Sequence, residues 1–439
     1  MSFLSRLFGR GAREEKASQV GPLLASYVLG RPMRPQRDFA QLAKEGYAGN
    51  SVVYACIWNT ALAASTIPLE FMRKDAEVEV PDLRRLIDNP NPDPTCDGMV
   101  FRHALFSDFL LGGNAFVERV DIRRKPVELY RWRPDRTAVI PGPFGWPAGF
   151  RYTVNGHERT IQVDATKPDQ MAVWQMKDYS PVDDWNGMSP LDPAAYSVDS
   201  HTGFSAWNKA LLDNGARPSG ALVYAPKDGP SSLGDEQFMR LKAELQDAYS
   251  GARNAGRPML LDGGLTWQEL SLSPKDGEFS EAKNAAAREI ALALGVPPLV
   301  LGIPGDNTFA NYAEANKAFY RQTVIPLVWR LCRGWSMWLA PAFGDGIRIV
   351  PDLDDLPAFA DERAAYRGSI EKSNVLTVNE KRAMGWGLAP VSGGDVLLVP
   401  STDIPLESAA TPIDERTGGE DDSAEADDEA DETLENEDE

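Results

Sequence analysis

The side chains that could do chemistry in this chain do not occur at catalytic or metal-binding spacings. Its three histidines, His103, His157 and His201, lie far apart, and none has a second potential ligand three or four positions away. Because two ligands on one helix face need such a spacing, no zinc site is predicted. The adjacent carboxylates Asp183 and Asp184 diverge along the chain, which is typical of loop solvation or helix capping rather than of an acid/base pair.

The sequence also lacks motifs for phosphate binding and for nucleophilic catalysis. Neither G-x-x-x-x-G-K-[ST] nor G-x-G-x-x-G occurs, and there is no G-x-S-x-G turn. The three cysteines, Cys56, Cys96 and Cys332, are widely spaced and form no C-x-x-C pair, which argues against a disulfide framework and favours a reducing compartment. We therefore expect a protein that is not an enzyme and that uses no cofactor or metal.

The negative charge of the chain is concentrated at its C-terminal end. The 439 residues carry a net charge of −20, and fifteen acidic residues and one arginine between Ile413 and Glu439 give −14, which leaves −6 for the rest. This run has almost no apolar residues, so we predict a disordered tail that solubilises the protein, repels nucleic acid or recruits a basic partner. The mildly acidic remainder argues against tight, static binding to DNA phosphates.

The length of the chain and its 43% of hydrophobic residues allow about two to four structural units. The segment Met1–Arg10 is apolar and basic but has no continuous apolar run of signal-peptide length, which favours a frayed amphipathic arm over a targeting segment. No membrane-spanning helix is predicted, because the most apolar long stretch, Val324 to Phe343, contains Arg330 and Arg333.

The first half of the chain predicts helices followed by an antiparallel sheet. A helix is expected over Ser51 to Thr66 and a strand over Ile67 to Met72. After the proline-rich run Asn89 to Pro94, Thr95 is expected to cap a helix that ends at Gly112-Gly113-Asn114. Runs of β-branched and aromatic residues predict further strands at Ala115–Val120, Val127–Tyr130, Phe150–Val154 and Met171–Gln175. This part is therefore an α+β unit.

The middle of the chain predicts a helix and a small mixed unit. Pro190, after Ser189, begins a helical pattern that continues from Asp192 to about Leu212. A β-α-β-β unit is expected next. Its elements are the strand Ala221–Tyr224, a helix capped by Ser232, and the strands Met259–Leu261 and Leu265–Trp267 joined by the turn Asp262-Gly263-Gly264.

Two helices around a loop rich in Gly and Pro form the most informative part of the sequence. A helix over about Glu281 to Leu294 precedes the loop Gly302 to Asn307. A second helix, capped by Asn311, is expected to run to Leu339 and to kink at Pro326, because proline removes one backbone hydrogen bond. The last elements are a helix over Ala358 to Lys372 and a short helix that opens with a capping box, Thr377 to Glu380, and ends at Gly385.

Short strings in a fixed order are spread over about residues 45 to 400. They are S-V-V-Y-A-C-I from Ser51, I-P-L from Ile67, N-P-N-P from Asn89, L-G-G-N-A-F from Leu111, G-M-S-P-L from Gly187, N-G-A-R-P-S-G from Asn214, N-A-G-R from Asn254, S-P-K-D from Ser273, G-V-P-P from Gly295 and L-T-V-N-E from Leu376. With these strings in this order, the chain resembles the portal protein (head–tail connector) of tailed double-stranded-DNA bacteriophages, of the type found in long-tailed phages and gene transfer agents. The acidic tail lies outside the resemblance.

The resemblance implies a multi-part α+β fold with a wing, a stem of two helices, a small clip, a long spine helix and a crown. The expected ranges are 1–40 for a flexible N-terminal arm, 41–189 for the α+β wing, 190–216 for the first stem helix, 217–278 for the β-α-β-β clip, 279–296 for the second stem helix, 297–310 for the tunnel loop, 311–357 for the kinked spine helix and the completion of the wing, 358–405 for the helical crown and 406–439 for the disordered acidic tail.

The resemblance also implies a function. Portal proteins form dodecameric rings at one capsid vertex, and DNA passes through the central channel during packaging and ejection. The implied partners are further copies of the chain, the terminase motor, a major capsid or scaffolding protein, a head–tail adaptor and double-stranded DNA read without sequence specificity, with no membrane partner. The implied location is the virion, and the host cytoplasm during assembly. A capsid-associated protein without a channel and a soluble hydrolase are the alternatives.

Three groups of residues are candidates for the site. The tunnel loop is expected to face moving DNA, or else to be an ordinary connector, and it comprises Gly302, Ile303, Gly305, Asp306, Asn307 and Thr308. On the stem, Lys209, Lys283 and Arg288 are expected to present sparse positive rings, or else to pair with Glu281, Glu289 or a neighbouring subunit. On the clip, a docking surface or ordinary solvated charges are expected at Arg217, Lys227, Arg253 and Arg257.

Overall fold

The computed structural model describes residues 26–28, 31–33, 39–164, 166–213, 220–224, 234–249, 265–269, 276–304, 309–354 and 356–397. The acidic tail, residues 406–439, lies outside them. The chain divides into two compact units, Met1–Ala358 and Phe359–Glu439. No helix among the described residues is both long and apolar enough to cross a membrane.

The described part of the first unit begins with short elements and a long helix. A hairpin joins β1 (Ser26–Val28) to β2 (Arg31–Met33), so the predicted arm contains some regular structure. The short helix α1 (Phe39–Gln41) runs into a π-helix, Leu42–Tyr47. Helix α2 (Ser51–Thr66) has the predicted bounds.

The N-termini of the next helices show how side chains set helix boundaries. Strands β3 (Leu69–Arg73) and β4 (Ala76–Glu77) precede α3 (Pro81–Asp88) and α4 (Gly98–Gly112). The predicted cap Thr95 is wrong, because the carboxylate of Asp97 accepts the Val100 amide hydrogen at 2.8 Å, while Thr95 itself hydrogen-bonds to Asp93. At the other end, Gly113 adopts the left-handed conformation (φ +70°) and stops α4, as the sequence predicts.

Two antiparallel sheets follow. Their strands are β5 (Asn114–Ile122), β6 (Lys125–Trp132), β7 (Thr137–Pro141), β8 (Pro147–Val154), β9 (His157–Gln162) and β10 (Val173–Lys177). One sheet has the order β10-β5-β6 and the other β7-β8-β9. The four predicted strands are confirmed. Strands β7 and β9 were not predicted; the residues of β9 are almost all polar and exposed, so no apolar alternation marks it.

A buried cluster joins these two sheets. Phe116 on β5, Trp132 on β6, Phe150 on β8 and Val173 on β10 pack into one core. The Phe116 and Phe150 rings meet edge to face with centroids 5.9 Å apart. The α+β unit predicted before Gly187 is therefore confirmed.

The next elements leave this core and return to it. They are α5 (Ala195–Asp213), β11 (Gly220–Tyr224), α6 (Asp235–Tyr249), β12 (Leu265–Glu269) and α7 (Asp276–Ala293). Strands β11 and β12 pair antiparallel, with Tyr224 opposite Leu265. The predicted strand Met259–Leu261 and the predicted cap Ser232 lie outside the described residues.

A long helical segment completes the first unit. It comprises α8 (Phe309–Phe319), a π-helix (Tyr320–Val324) and α9 (Ile325–Trp338). The predicted cap Asn311 is wrong, because α8 already begins at Phe309. The kink expected at Pro326 stays a prediction; the π-helix Tyr320–Val324 ends two residues before this proline. Strand β13 (Ile347–Pro351) then pairs antiparallel with β3, with Pro351 opposite Leu69.

The second unit contains two described helices, α10 (Ala360–Lys372) and α11 (Val378–Trp386). The predicted capping box is confirmed, since the Thr377 hydroxyl accepts the Glu380 amide hydrogen and the Glu380 carboxylate accepts that of Thr377. Helix α11 ends at Trp386 rather than at Gly385, because Gly387 (φ +62°) is the capping residue in the left-handed conformation.

Candidate functional site

Helices α5 and α7, which flank the segment of residues 214–275, pack side by side. Near one end of the pair, the Ser197 hydroxyl donates a hydrogen bond to the Glu289 carboxylate. Near the other end, the Phe279 ring stacks on Trp207 with centroids 4.6 Å apart. Since the residue number rises along α5 while it falls along α7, the two helices are antiparallel.

The Ser197–Glu289 end of this pair is fixed to the N-terminus of α2 by Asn50. The Asn50 side-chain oxygen accepts the Val52 amide hydrogen at 3.0 Å and so caps α2. Its amide nitrogen lies 3.2 Å from His201 Nδ1 and 3.1 Å from Thr202 Oγ1, both on α5. Asn50 is only 2% exposed, so this buried network sets where α5 leaves the core.

His201 is held as a neutral ring at this position. Burial lowers the pKa of His201 below its usual value, and the nearby Lys283 ammonium lowers it further. A neutral imidazole can accept the Asn50 amide hydrogen at Nδ1, which a protonated ring could not do. His201 therefore helps to hold α5 against the N-terminus of α2.

The end of α7 is locked against the π-helix that precedes α9. Gly295 follows α7 with a positive φ of +67°. The Thr323 hydroxyl donates a hydrogen bond to the Gly295 carbonyl oxygen. A Cβ atom on Gly295 would lie 2.9 Å from Thr323 Oγ1, so both the conformation and the close approach require glycine here.

A tight turn carries the chain from α7 to the loop. The Ile303 amide donates to the Pro298 carbonyl at 3.1 Å. Arg288, on the exposed side of α7, donates to the Pro304 carbonyl. The first residues of the loop are thus tied back to the helix that precedes them, and Gly302 (φ +71°) has open space around it.

The described residues include only part of the predicted site. Lys209 is exposed on α5 and Lys283 is half-buried on α7. Arg288 is also exposed, but its hydrogen bond to Pro304 gives it a role in holding the loop, and Glu289 accepts from Ser197. The predicted residues outside the described ranges are Arg217, Lys227, Arg253, Arg257, Gly305, Asp306, Asn307 and Thr308. Within the described ranges, no group of three His, Cys, Asp or Glu side chains could hold a metal ion.

Two residues that organise this region were not predicted. Asn50 could have been found, because asparagine directly before a helix pattern is a typical N-cap. Thr323 could not, because it lies inside a continuous helical pattern and its partner Gly295 is distant in sequence. Only the π-helix places its hydroxyl against the end of α7.

A family model described as Phage portal protein matches residues 51–385, which cover most of this architecture. The chain belongs to the phage portal protein family. Its role is that of a portal protein, in a family that is structural rather than enzymatic. Neither the hydrolase nor the capsid protein without a channel is favoured.

Three similar proteins support this membership. A chain in the neck of a native gene transfer agent particle, computed with C12 symmetry, is 44% identical; the match covers 82% of this chain and 96% of that one, with a TM-score of 0.63. An uncharacterised protein of Rickettsia bellii is 38% identical over 80% of this chain and 90% of its own length. The portal protein of Enterobacteria phage HK97 is 23% identical over 94% of both chains.

Proposed function

We propose that copies of this protein close into a ring of twelve at one vertex of a capsid and leave a channel for double-stranded DNA. The observation that carries the proposal is the 44% identity to a chain from the neck of a gene transfer agent particle computed with C12 symmetry. The particle that contains this ring is a phage or a gene transfer agent. The protein is present in the virion, and in the host cytoplasm while the particle assembles.

The parts of the fold then take the roles expected of a portal. The antiparallel pair α5 and α7 is the stem, and the unit of β11, α6 and β12 between them is the clip. The α+β core of the first unit is the wing, α8 and α9 form the spine, and α10 and α11 form the crown. Residues 297–310 form the tunnel loop at the inner end of the stem.

The charge of the chain favours passage of DNA over retention. Each phosphate neutralised by a fixed cation adds to the barrier against sliding. Outside the tail the chain is mildly acidic. The three candidates for the bore, Lys209, Lys283 and Arg288, would then add only sparse positive positions to the channel.

The clip is proposed as the docking surface for the terminase motor and later for head–tail adaptors. The wing is proposed to contact the major capsid or scaffolding protein. Since the sequence contains no nucleotide-binding motif, the energy for packaging is proposed to come from the separate motor.

The first experiment images the purified protein by negative-stain electron microscopy. Annular particles with a central hole are expected. Particles that remain monomeric or dimeric under all assembly conditions would contradict the ring.

The second experiment deletes residues Gly302 to Asn307. The deletion is expected to leave annular particles intact but to abolish the packaging or retention of DNA in a particle-assembly assay. Deletion of the last six residues of the tail, 434–439, is the control of equal length and should package normally. If the loop deletion packages as well as the control, the tunnel-loop role is wrong.

A further inference from the structure

A continuous ridge of exposed and half-buried aromatic and apolar side chains runs over α2 and α4. Tyr47 lies against Tyr54, Tyr54 stacks on Trp58, and Trp58 meets His103 edge to face, with ring centroids 5.1, 5.8 and 4.6 Å apart. Tyr54 is 42% exposed and Trp58 39%. One turn before His103 on α4, Met99 and Val100 are exposed as well, so the ridge continues to the start of that helix.

The ridge has the composition of a buried contact. Helix α2 contains no Asp, Glu, Lys or Arg in its sixteen residues. On α4, the charged residues Arg102 and Asp108 are buried, where they bond the Ser65 carbonyl and Arg131. Interfaces are enriched in Tyr, Trp and Met and depleted of charge at their centre, whereas exposed helix faces usually carry charges. We therefore expect the ridge to be covered.

An open cavity of about 590 Å³ adjoins one end of the ridge. Tyr47 and Tyr54 form one side, and His201, Thr202 and Ser205 of α5 form the other. A cavity of this size can take large apolar side chains. The ridge and the cavity together form an elongated binding surface.

The chain enters the described core at this same surface. The Phe39 ring lies against Gly112 at the C-terminal end of α4, where a Cβ on the glycine would be 2.5 Å from it. The π-helix Leu42–Tyr47 follows, and its last residue, Tyr47, is the first member of the ridge. The residues that precede Phe39 therefore start beside the surface that needs covering.

The segment Met1–Arg10 has the pattern that such a surface would bind. At 100° per residue in a helix, the apolar side chains of its two phenylalanines and two leucines lie within an arc of about 140°, and Arg6 lies outside it. Those apolar side chains are Phe3, Leu4, Leu7 and Phe8. Docking of an amphipathic helix in an apolar groove is a common mode of recognition.

We propose that Met1–Arg10 binds along the ridge of its own chain, with its apolar face on Tyr54 and Trp58. The residues between Arg10 and Phe39, which include the hairpin β1-β2, tether this segment to the surface, and the covalent link raises its effective concentration there. The tether favours the segment of the same chain over another molecule. This inference does not depend on the ring, because it concerns contacts within one chain.

The test places a photo-crosslinking benzoylphenylalanine at Tyr54 in the full-length protein. After irradiation, mass spectrometry should identify a link to a peptide within Met1–Arg10. The same probe at Tyr366, a tyrosine of the second unit that is 52% exposed, is the control and should not give this link. The double substitution Leu7→Asp and Phe8→Asp should abolish the Tyr54 link.

Mixing light and isotopically heavy protein identifies the source of the linked peptide. Links only within light or within heavy chains are expected. Links between light and heavy chains, links to any other part of the protein, or no link at all would overturn the proposal; the first of these outcomes would assign the ridge to a neighbouring copy.

Hydrogen exchange gives a measurement without the probe. Amides of residues 3–10 should exchange more slowly in the wild-type protein than in Tyr54→Ser, whereas Tyr366→Ser should match the wild type. If exchange of this segment is as fast in the wild-type protein as in Tyr54→Ser, the segment is not bound to the ridge.

Discussion

At the scale of single residues, Asn114 connects segments that are far apart in the sequence. Its side-chain oxygen accepts hydrogen bonds from the Gly187 amide and the Gln175 side chain, both at 2.9 Å. Its nitrogen donates to the carbonyls of Gly112 and Gly187. The family strings that begin at Leu111 and at Gly187 are therefore neighbours in space, and one buried amide holds them together.

We expect Asn114→Ala to lower the free energy of unfolding by about 2–4 kcal/mol, because it leaves buried backbone groups without partners. Urea denaturation followed by circular dichroism measures the change. Asn208→Ala, at an exposed position of α5, is the matched control and should change it by less than about 0.5 kcal/mol. Equal effects of the two variants would show that the Asn114 bonds contribute little.

At the scale of elements, the contact between Gly295 and Thr323 determines how the end of α7 meets the π-helix that precedes α9. The hydroxyl of Thr323 reaches the end of α7 from the π-helix, a wider local structure whose backbone hydrogen bonds span five residues instead of the four of an α-helix. The proline that follows, Pro326, has no amide hydrogen, so the wider turn before it costs fewer hydrogen bonds than it would elsewhere. The loop after α7 therefore starts from a fixed position.

Gly295→Ala should destabilise the protein by about 1–3 kcal/mol, because alanine combines an unfavourable positive φ with a contact of 2.9 Å to Thr323 Oγ1. Gly302→Ala is the control. It has a similar φ of +71° but nothing within 4 Å, so it should show the conformational cost alone, about 1 kcal/mol. Thermal unfolding of both variants measures the difference. If they are equally stable, the close approach to Thr323 carries no cost.

Prediction from the sequence succeeded where a local signal decided the structure. Helix α2, the stop at Gly113 and the capping box of α11 each follow from residues that are adjacent in the chain. It failed where two local signals competed, as for Thr95 and Asp97, or where tertiary contacts decided, as for Thr323. The sheet β7-β8-β9 shows the same limit of prediction. Strand β9 forms by pairing with β8, and it has no apolar pattern of its own that could mark it in the sequence.

At the scale of the whole molecule, charge is divided between a mildly acidic body and a strongly acidic C-terminal run. The body carries −6 of the net charge of −20. In a ring of many copies, these charges add up around a common axis and produce a field that repels phosphate at low ionic strength. The tail would then reduce unproductive binding of DNA to the ring.

Removal of residues Ile413 to Glu439 should therefore strengthen non-specific binding of DNA by the assembled ring at low salt, and the difference should vanish as salt is raised. Electrophoretic mobility shifts over a range of salt concentrations measure it. A tail of equal length made of Gly and Ser is the control and should behave like the deletion. If this uncharged tail instead restores the wild-type affinity, its length and not its charge is responsible.

The pairing of β3 with β13 imposes an order of events on synthesis of the protein. Leu69 lies opposite Pro351, and at ~5–20 residues per second a ribosome needs roughly 14–56 s to make the residues between them. During that interval the nascent chain has only the short β4 beside one edge of β3, and the tryptophans of α9 have not yet emerged. The sheet β13-β3-β4 can close only after the segment from α5 to α9 has been translated, so a ribosome that stalls within that segment releases a chain with an open sheet edge, a substrate for chaperones and proteases.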